Sequence, residues 1–348
     1  MALLWSNGCF ELNLHYTRRN GVMQFRTAID ISKCVMPPLK HSDGVLMLGS
    51  CFSDNIGARL INGMVDVVVN PFGTTYNPLS LSSCVEWLVS GRMVADSELF
   101  AANGVYNHFM FHSRFSGVDA QGTAQAMNAS LAKGRGQLAS CSHLFVTLGT
   151  SFVYRLADSG EVVNNCHKLP SSRFLRSLCS IDELTGAIGS IATMVHEFNP
   201  AAKVVFTVSP IRHLADGLAM NHLSKSLLTV ATHTVVSANA GYCYYFPAFE
   251  ILNDDLRDYR FYAADMAHPS ELAVDYIWTL FKEAFFAPVE RQGVEQCERL
   301  SRMLAHRPVN PNADVVAQFR RKCASALAEV IRQWPHIAKL DYLSCYNI

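Results

Sequence analysis

Short continuous apolar runs recur along the chain, and most of them stop abruptly at a polar or glycine-bearing motif. Val45-Leu46-Met47-Leu48 ends at Gly49, and residues 65–69 end in Asn70-Pro71-Phe72-Gly73. Residues 144–148 end in Gly149-Thr150-Ser151, and residues 203–208 end in Ser209-Pro210-Ile211-Arg212-His213. A fifth run covers residues 241–249. Runs without polar alternation are expected of parallel strands covered on both faces. Between them, residues 53–60, 180–198 and 221–238 carry helical patterning. Strands alternating with helices predict βαβ units and a mostly parallel sheet. Right-handed crossovers then bring the strand C-termini, and the motifs that follow them, to one edge. In open α/β sheets that edge is where ligands bind.

The ends of the chain break this rhythm. Residues 1–22 carry no clear period and are expected to be an N-terminal extension. Residues 23–31 have strand-like content, and Pro37-Pro38 with residues 41–44 predict a turn. Residues 287–348 predict two or more helices, the second around 315–333, separated by the proline-bearing stretch 308–311. No internal repeat or low-complexity tract is visible. The expected organisation is an extension over 1–22, one catalytic α/β domain over 23–286 and a helical C-terminal extension over 287–348.

Composition narrows the function class. The chain has 348 residues, half of them hydrophobic and 17% charged, with Lys+Arg and Asp+Glu both numbering 29. That balance shows no electrostatic footprint for nucleic acid or an anionic membrane, and it suits a near-neutral small molecule or a sugar. The cysteines number 11, an odd count with no CxxC pair, as expected of free thiols in a reducing, cytoplasmic compartment. The N-terminus lacks the basic-then-apolar pattern of a signal peptide, and no apolar run approaches the ~20 residues of a spanning helix. The oligomeric state is not legible.

Two constellations carry candidate chemistry. Gly49-Ser50-Cys51-Phe52 lies between a buried strand and a helix start, where a nucleophile would be exposed beside unpaired N–H groups. Those groups lower a thiol's pKa and can hold an oxyanion. The plainer alternative is a Ser N-cap followed by a buried structural Cys. Asp265-Met266-Ala267-His268 places a carboxylate and an imidazole three residues apart at the start of a helix over 270–286, so the acid can orient the ring. Its alternative is a surface turn with an Asx cap. Asn165, His167 and Lys168 follow a hairpin signalled by Asp158-Ser159-Gly160, and Arg212, His213, Asn221 and Lys225 follow the fourth run. They are either substrate contacts or solvated loop and capping residues. No His or Cys pair has metal-like local spacing, so no metal or other cofactor is expected. Aromatics at 245–249 and 259–262 are read as packing, with a sugar platform as the alternative.

From about Met23 to Phe286 the chain resembles the GSCFA family, which belongs to the SGNH (GDSL-like) hydrolases. The resemblance is carried by LMLGSCFSDNIG, NPFGTTYNP, VTLGTSFVY, NCHKLP, TVSPIRH, NHLSKSLL and YFPAFEILNDDLRDYRFYAADMAHPS, in that order. It implies a flavodoxin-like three-layer α/β/α fold and esterase chemistry. Aligned on Gly49, the nucleophile position falls on Cys51, and Ser50 stands where the superfamily has Asp. Asp265 and His268 match its Asp-x-x-His block. The resemblance places the second-block glycine at Gly73, with its N–H toward an oxyanion. In the third block Gly149-Thr150-Ser151 lacks the oxyanion-donating Asn, leaving Thr150 and Ser151 there and Asn77, Asn165 and Arg212 as substitute donors. The family reads Ala where Ser53 stands, a change from which little consequence is expected. The expected function is hydrolysis of an ester of a small molecule or glycan. Cys51 or Ser50 would be nucleophile, His268 base and acid, and Asp265 the orienting residue. The alternatives are an acyltransferase and a non-catalytic binding protein on a degenerate scaffold.

Overall fold

The computed structural model describes residues 26–34, 36–306, 313–340 and 343. Its strands are β1 (Val45–Gly49), β2 (Val67–Val69), β3 (Phe100–Ala102), β4 (Val105–Asn107), β5 (His143–Leu148), β6 (Phe152–Leu156), β7 (Val162–Val163), β8 (Phe174–Leu178), β9 (Lys203–Val208) and β10 (Cys243–Tyr245). The helices are α1 (Cys51–Asn62), α2 (Pro78–Ser90), α3 (Ala120–Ser140), α4 (Ile181–Phe198), α5 (Gly217–Ala238), α6 (Ala248–Glu250), α7 (Glu271–Phe285), α8 (Pro288–Ala305) and α9 (Ala313–Gln333). The apolar runs form a five-stranded sheet in the order β10-β9-β5-β1-β2, with every pair parallel. Counted along the sheet this is the order 2-1-3-4-5, the flavodoxin-like arrangement, and its switch point lies between β1 and β5.

Successive residues of one strand feed opposite layers, which is why the runs show no polar alternation. Leu46, Leu48, Leu144, Val146, Val204 and Phe206 pack with Leu81, Leu131, Ile188 and Leu228 of α2, α3, α4 and α5. Val45, Met47, Phe145 and Val205 pack with Phe52, Ile56, Ile277 and Phe281 of α1 and α7 on the other face. The result is the expected three-layer α/β/α architecture, with α8 and α9 as a helical C-terminal region. Two small antiparallel sheets, β3-β4 and β7-β6-β8, are inserted beside it. The second contains the hairpin marked by residues 158–160.

Two expectations change. The strand-like content of residues 23–31 produces no strand over its described part. Instead Ile31–Lys33 is a 3-10 turn, and the segment is tied by side chains, Arg26 Nε donating to Asp255 Oδ1 at 2.5 Å. Ile29 and Ile31 pack against the α1–α7 layer instead of joining the sheet. The fifth run is cut to Cys243–Tyr245, because the proline at 247 ends the ladder and the chain turns into α6. The extension over 1–22 lies outside the described residues.

Candidate active site

The chain leaves β1 through Gly49 at φ 136°, a region open to glycine. A Cβ there would lie 2.3 Å from the Thr147 carbonyl oxygen of β5, so the turn cannot accept another residue without moving the strand. Ser50 is the N-cap of α1: its Oγ accepts from the Phe52 N–H at 3.3 Å and donates to Ser209 Oγ at 3.1 Å. Only 1% of Ser50 is exposed, and it is not among the residues that line the cavity beside Cys51. Cys51 is the first residue of α1, so its N–H has no intrahelical acceptor, and its half-buried thiol opens into a cavity of about 530 Å³. The thiol shares a hydrogen bond with the Tyr76 hydroxyl at 3.5 Å. Burial, above all, pushes that hydroxyl up to about 12, so Tyr76 stays protonated, its proton donated to Thr74 Oγ1 at 3.4 Å or turned toward the thiol.

His268 lines the same cavity. Its Nδ1 lies 2.6 Å from Asp265 Oδ2, while Asp265 Oδ1 accepts from the Ala267 and His268 N–H groups, each at 3.0 Å. These donors, the His268 N–H first, hold the Asp265 carboxyl down at about 2. Closing so tight a loop puts Met266 at φ 57°, a left-handed conformation that a non-glycine residue adopts at some cost. Ser270 caps α7 directly afterwards and fixes where the loop ends.

Of the other expected residues, Asn77, Thr150, Asn165, Arg212 and His213 line the cavity, and Gly73, Ser151, His167, Lys168 and Asn221 do not. Gly73 is corrected most plainly. Its N–H donates to the Asn70 carbonyl at 2.8 Å, so it does not face a ligand. Ser151 is fully buried, its N–H and Oγ both spent on Ser224. Asn77 caps α2, its Oδ1 accepting from the Ser80 N–H and its Nδ2 donating to Ser80 Oγ. The Asn165 Oδ1 accepts from the His167 N–H at 2.8 Å, and its Nδ2 has no partner among the described residues. His167 is turned inward to the His108 carbonyl, and Lys168 is exposed. Asn221 acts at one remove, its Oδ1 accepting from the His213 N–H at 2.8 Å. Burial, then the nearby Lys225 and His268, pushes the His213 imidazole down to about 4, and its ring meets Tyr76 edge-on.

Several contributors were not singled out from the sequence, although Asn70, Tyr76 and Ser53 lie within motifs that carry the family resemblance. Asn70, fully buried at φ 47°, ties the end of β1 to that of β2: its Oδ1 accepts from the Gly49 N–H and its Nδ2 donates to Asp54, both at 2.8 Å. Tyr76 and Arg176 line the cavity from a loop and from β8. Ser53, from which little was expected, is fully buried and donates to Thr147 Oγ1 at 2.8 Å, pinning α1 to β5. Among the described residues no group of three or more His, Cys, Asp or Glu could hold a metal, and no helix is long and apolar enough to cross a membrane.

Comparison with known proteins places these observations. No curated protein matches the chain. Solved structures similar to it include an acetyl xylan esterase from the rumen bacterium Butyrivibrio proteoclasticus, 11% identical, with 71% of this chain and 64% of that chain covered and a TM-score of 0.36. Another is a carbohydrate esterase family 3 protein from Talaromyces cellulolyticus, 10% identical over 72% of this chain and 97% of that chain, with a TM-score of 0.34. The GSCFA family model matches residues 44–281, a span that includes Gly49, Cys51, Asp265 and His268, and the chain belongs to the GSCFA family.

Proposed function

We propose that the protein is an SGNH-type hydrolase of ester bonds, with Cys51 as nucleophile. The observation that carries this is the pairing of an Asp265-held imidazole with a helix-N-terminal thiol on the walls of one cavity at the C-terminal edge of the sheet. His268, with Nδ1 fixed by Asp265, takes the thiol proton at Nε2 as Sγ attacks the ester carbonyl carbon. The tetrahedral oxyanion meets the Cys51 N–H and the protonated Tyr76 hydroxyl, with the unpartnered Asn165 amide within the same cavity. Collapse breaks the C–O bond, the alcohol leaves with the proton from His268, and a thioester remains on Cys51. Water, deprotonated by His268, then cleaves the thioester to the acid and restores the thiol. An acceptor hydroxyl in place of water would make the second half an acyl transfer.

Ser50 is a weaker nucleophile candidate because its hydroxyl is occupied by the helix cap and Ser209. Labelling tests the assignment. Iodoacetamide and a fluorophosphonate probe are applied to the protein and to His268→Ala, with the site read by peptide mass spectrometry. Alkylation at residue 51 that slows in His268→Ala, with turnover of 4-nitrophenyl esters lost in Cys51→Ala and kept in Ser50→Ala, is the expected result. Full turnover in Cys51→Ala would end the proposal.

A further inference from the structure

The charges around the cavity are unbalanced. No carboxylate is among the residues that line it, although two arginines and two histidines are. Arg176 is already answered: its fork closes on both oxygens of Asp216, and its guanidinium lies 3.9 Å over the Phe152 ring. His268 has Asp265. Arg212 has no such partner, since no carboxylate among the described residues lies within the 4.0 Å of an ion pair. It is nevertheless held firmly. Its guanidinium stacks 3.8 Å over the Tyr262 ring, one amine donates to the Met266 carbonyl at 3.4 Å, and its backbone N–H donates to the Ala267 carbonyl at 3.0 Å. Arg212 thus stands between this cavity and a smaller one of about 110 Å³ that it lines with Tyr259, Tyr262 and Asp258, and Asp258 there is engaged by Arg260 at 3.4 Å. A guanidinium carries five donors, so most of Arg212's remain unused.

We propose that this cavity takes ligands bearing an anionic group, a carboxylate or a phosphate, and that Arg212 is the residue that selects them. An arginine stays charged at any working pH, and its planar fork matches an oxyanion group bidentately. Stacking on Tyr262 fixes the fork in advance, so little side-chain freedom is lost when the anion arrives. Arg212 is joined to Met266 and Ala267 of the loop that carries His268, so an anion on Arg212 sits at a defined distance from the imidazole. That the anion belongs to the substrate rests on the hydrolase reading; that it binds does not.

Calorimetric titration of the Cys51→Ala protein at low salt tests the proposal without turnover, using monomethyl succinate, methyl phosphate and the neutral dimethyl succinate. At least one anion is expected to bind about tenfold tighter than the neutral diester, as one charge-assisted contact provides. Arg212→Gln in the same background should erase the difference, Arg212→Lys should keep part of it, and the better anion identifies the group. Anions that bind no tighter than the diester, that show no saturable heat, or that keep their advantage in Arg212→Gln overturn it. Absence of any anion preference in the titrations, together with turnover of 4-nitrophenyl esters by the unaltered protein, would sink this inference and leave the hydrolase reading standing. Anion binding without turnover of any ester would do the reverse.

Discussion

Asp265 meets His268 through one side-chain and one backbone contact, and the two can be separated by substitution. In Asp265→Asn the remaining carbonyl oxygen still accepts from the Ala267 and His268 N–H groups, which turns the new amide toward Nδ1. The imidazole must then protonate Nε2, the atom needed as base. The expected fall in kcat is roughly 10³–10⁴-fold with KM little changed, as for other orienting carboxylates. A change of less than about tenfold, by steady-state kinetics on a 4-nitrophenyl ester, would show that the pair is only a loop clasp. The pH dependence follows from the depressed carboxyl. Its folded value, about 2, lies below the ordinary 3.8, so what it contributes is present above about pH 4 and lost as pH falls through 2. An acidic limb in kcat/KM above pH 4 therefore reports another group. This loop was legible because Asp-x-x-His is a local pattern. The Gly73 N–H was not, since its bond to the Asn70 carbonyl depends on where β2 ends. Tyr76 and Arg176 come from a loop and an inserted strand whose approach no spacing announces.

At the scale of elements, the ends of β5 and β9 are joined by a lysine. Lys225 of α5 is 1% exposed, and its Nζ donates to the Gly149 carbonyl at 2.5 Å and the Ser209 carbonyl at 2.8 Å. Those carbonyls begin the loops that carry Thr150 and His213, so α5 sets the spacing of two cavity walls. Burial pushes the amine down from 10.5 to about 7. The unfolded chain therefore holds the extra proton between these values, and stability from this group rises with pH from about 7 to 10.5. Lys225→Met leaves two buried carbonyls unanswered, at about 1–3 kcal/mol each. The unaltered protein's advantage in Tm over this variant should widen from pH 7 to pH 9; a constant gap would mean the lysine does not titrate there. The strands themselves were readable because both faces are covered, and α4 and α7 because Ser180 and Ser270 cap them. Residues 26–31 were misread because a short apolar stretch reads alike whether it joins a ladder or lies against a layer.

For the whole molecule, residue 286 marks a change of sequence pattern, but packing crosses it. Met64, at the end of α1, is fully buried with Cys297 and Leu300 of α8, Val330 of α9, and Ile337 and Leu340 beyond. His41, on the loop before β1, is fully buried too: its backbone N–H donates to Glu290 of α8 at 2.7 Å, and its Nε2 meets the Gly63 carbonyl at 2.7 Å. The rings of Trp334 and His336 stand edge-on against it at 5.1 and 4.9 Å. Deleting residues 287–348 therefore exposes surface at the C-terminal end of α1, the end opposite Cys51, and uncovering Met64 alone costs roughly 1.5–3 kcal/mol. The deleted protein should melt several degrees lower by calorimetry; an unchanged Tm would make the C-terminal helices an independent appendage. Acid should loosen the same contact. Burial holds the His41 imidazole down at about 4 and lowers that of His336, with Glu290 the acid among the described residues that acts on both. Each binds its proton more readily once exposed, so the docked state loses stability as pH falls from about 6.5 toward 4. Amide exchange in α9 should accelerate between pH 7 and pH 5, after correction for intrinsic rates, while exchange in β5 and β9 does not. His336→Phe, which removes one of the two titrating rings, should shrink that acceleration, and an undiminished effect would assign it to groups other than this pair.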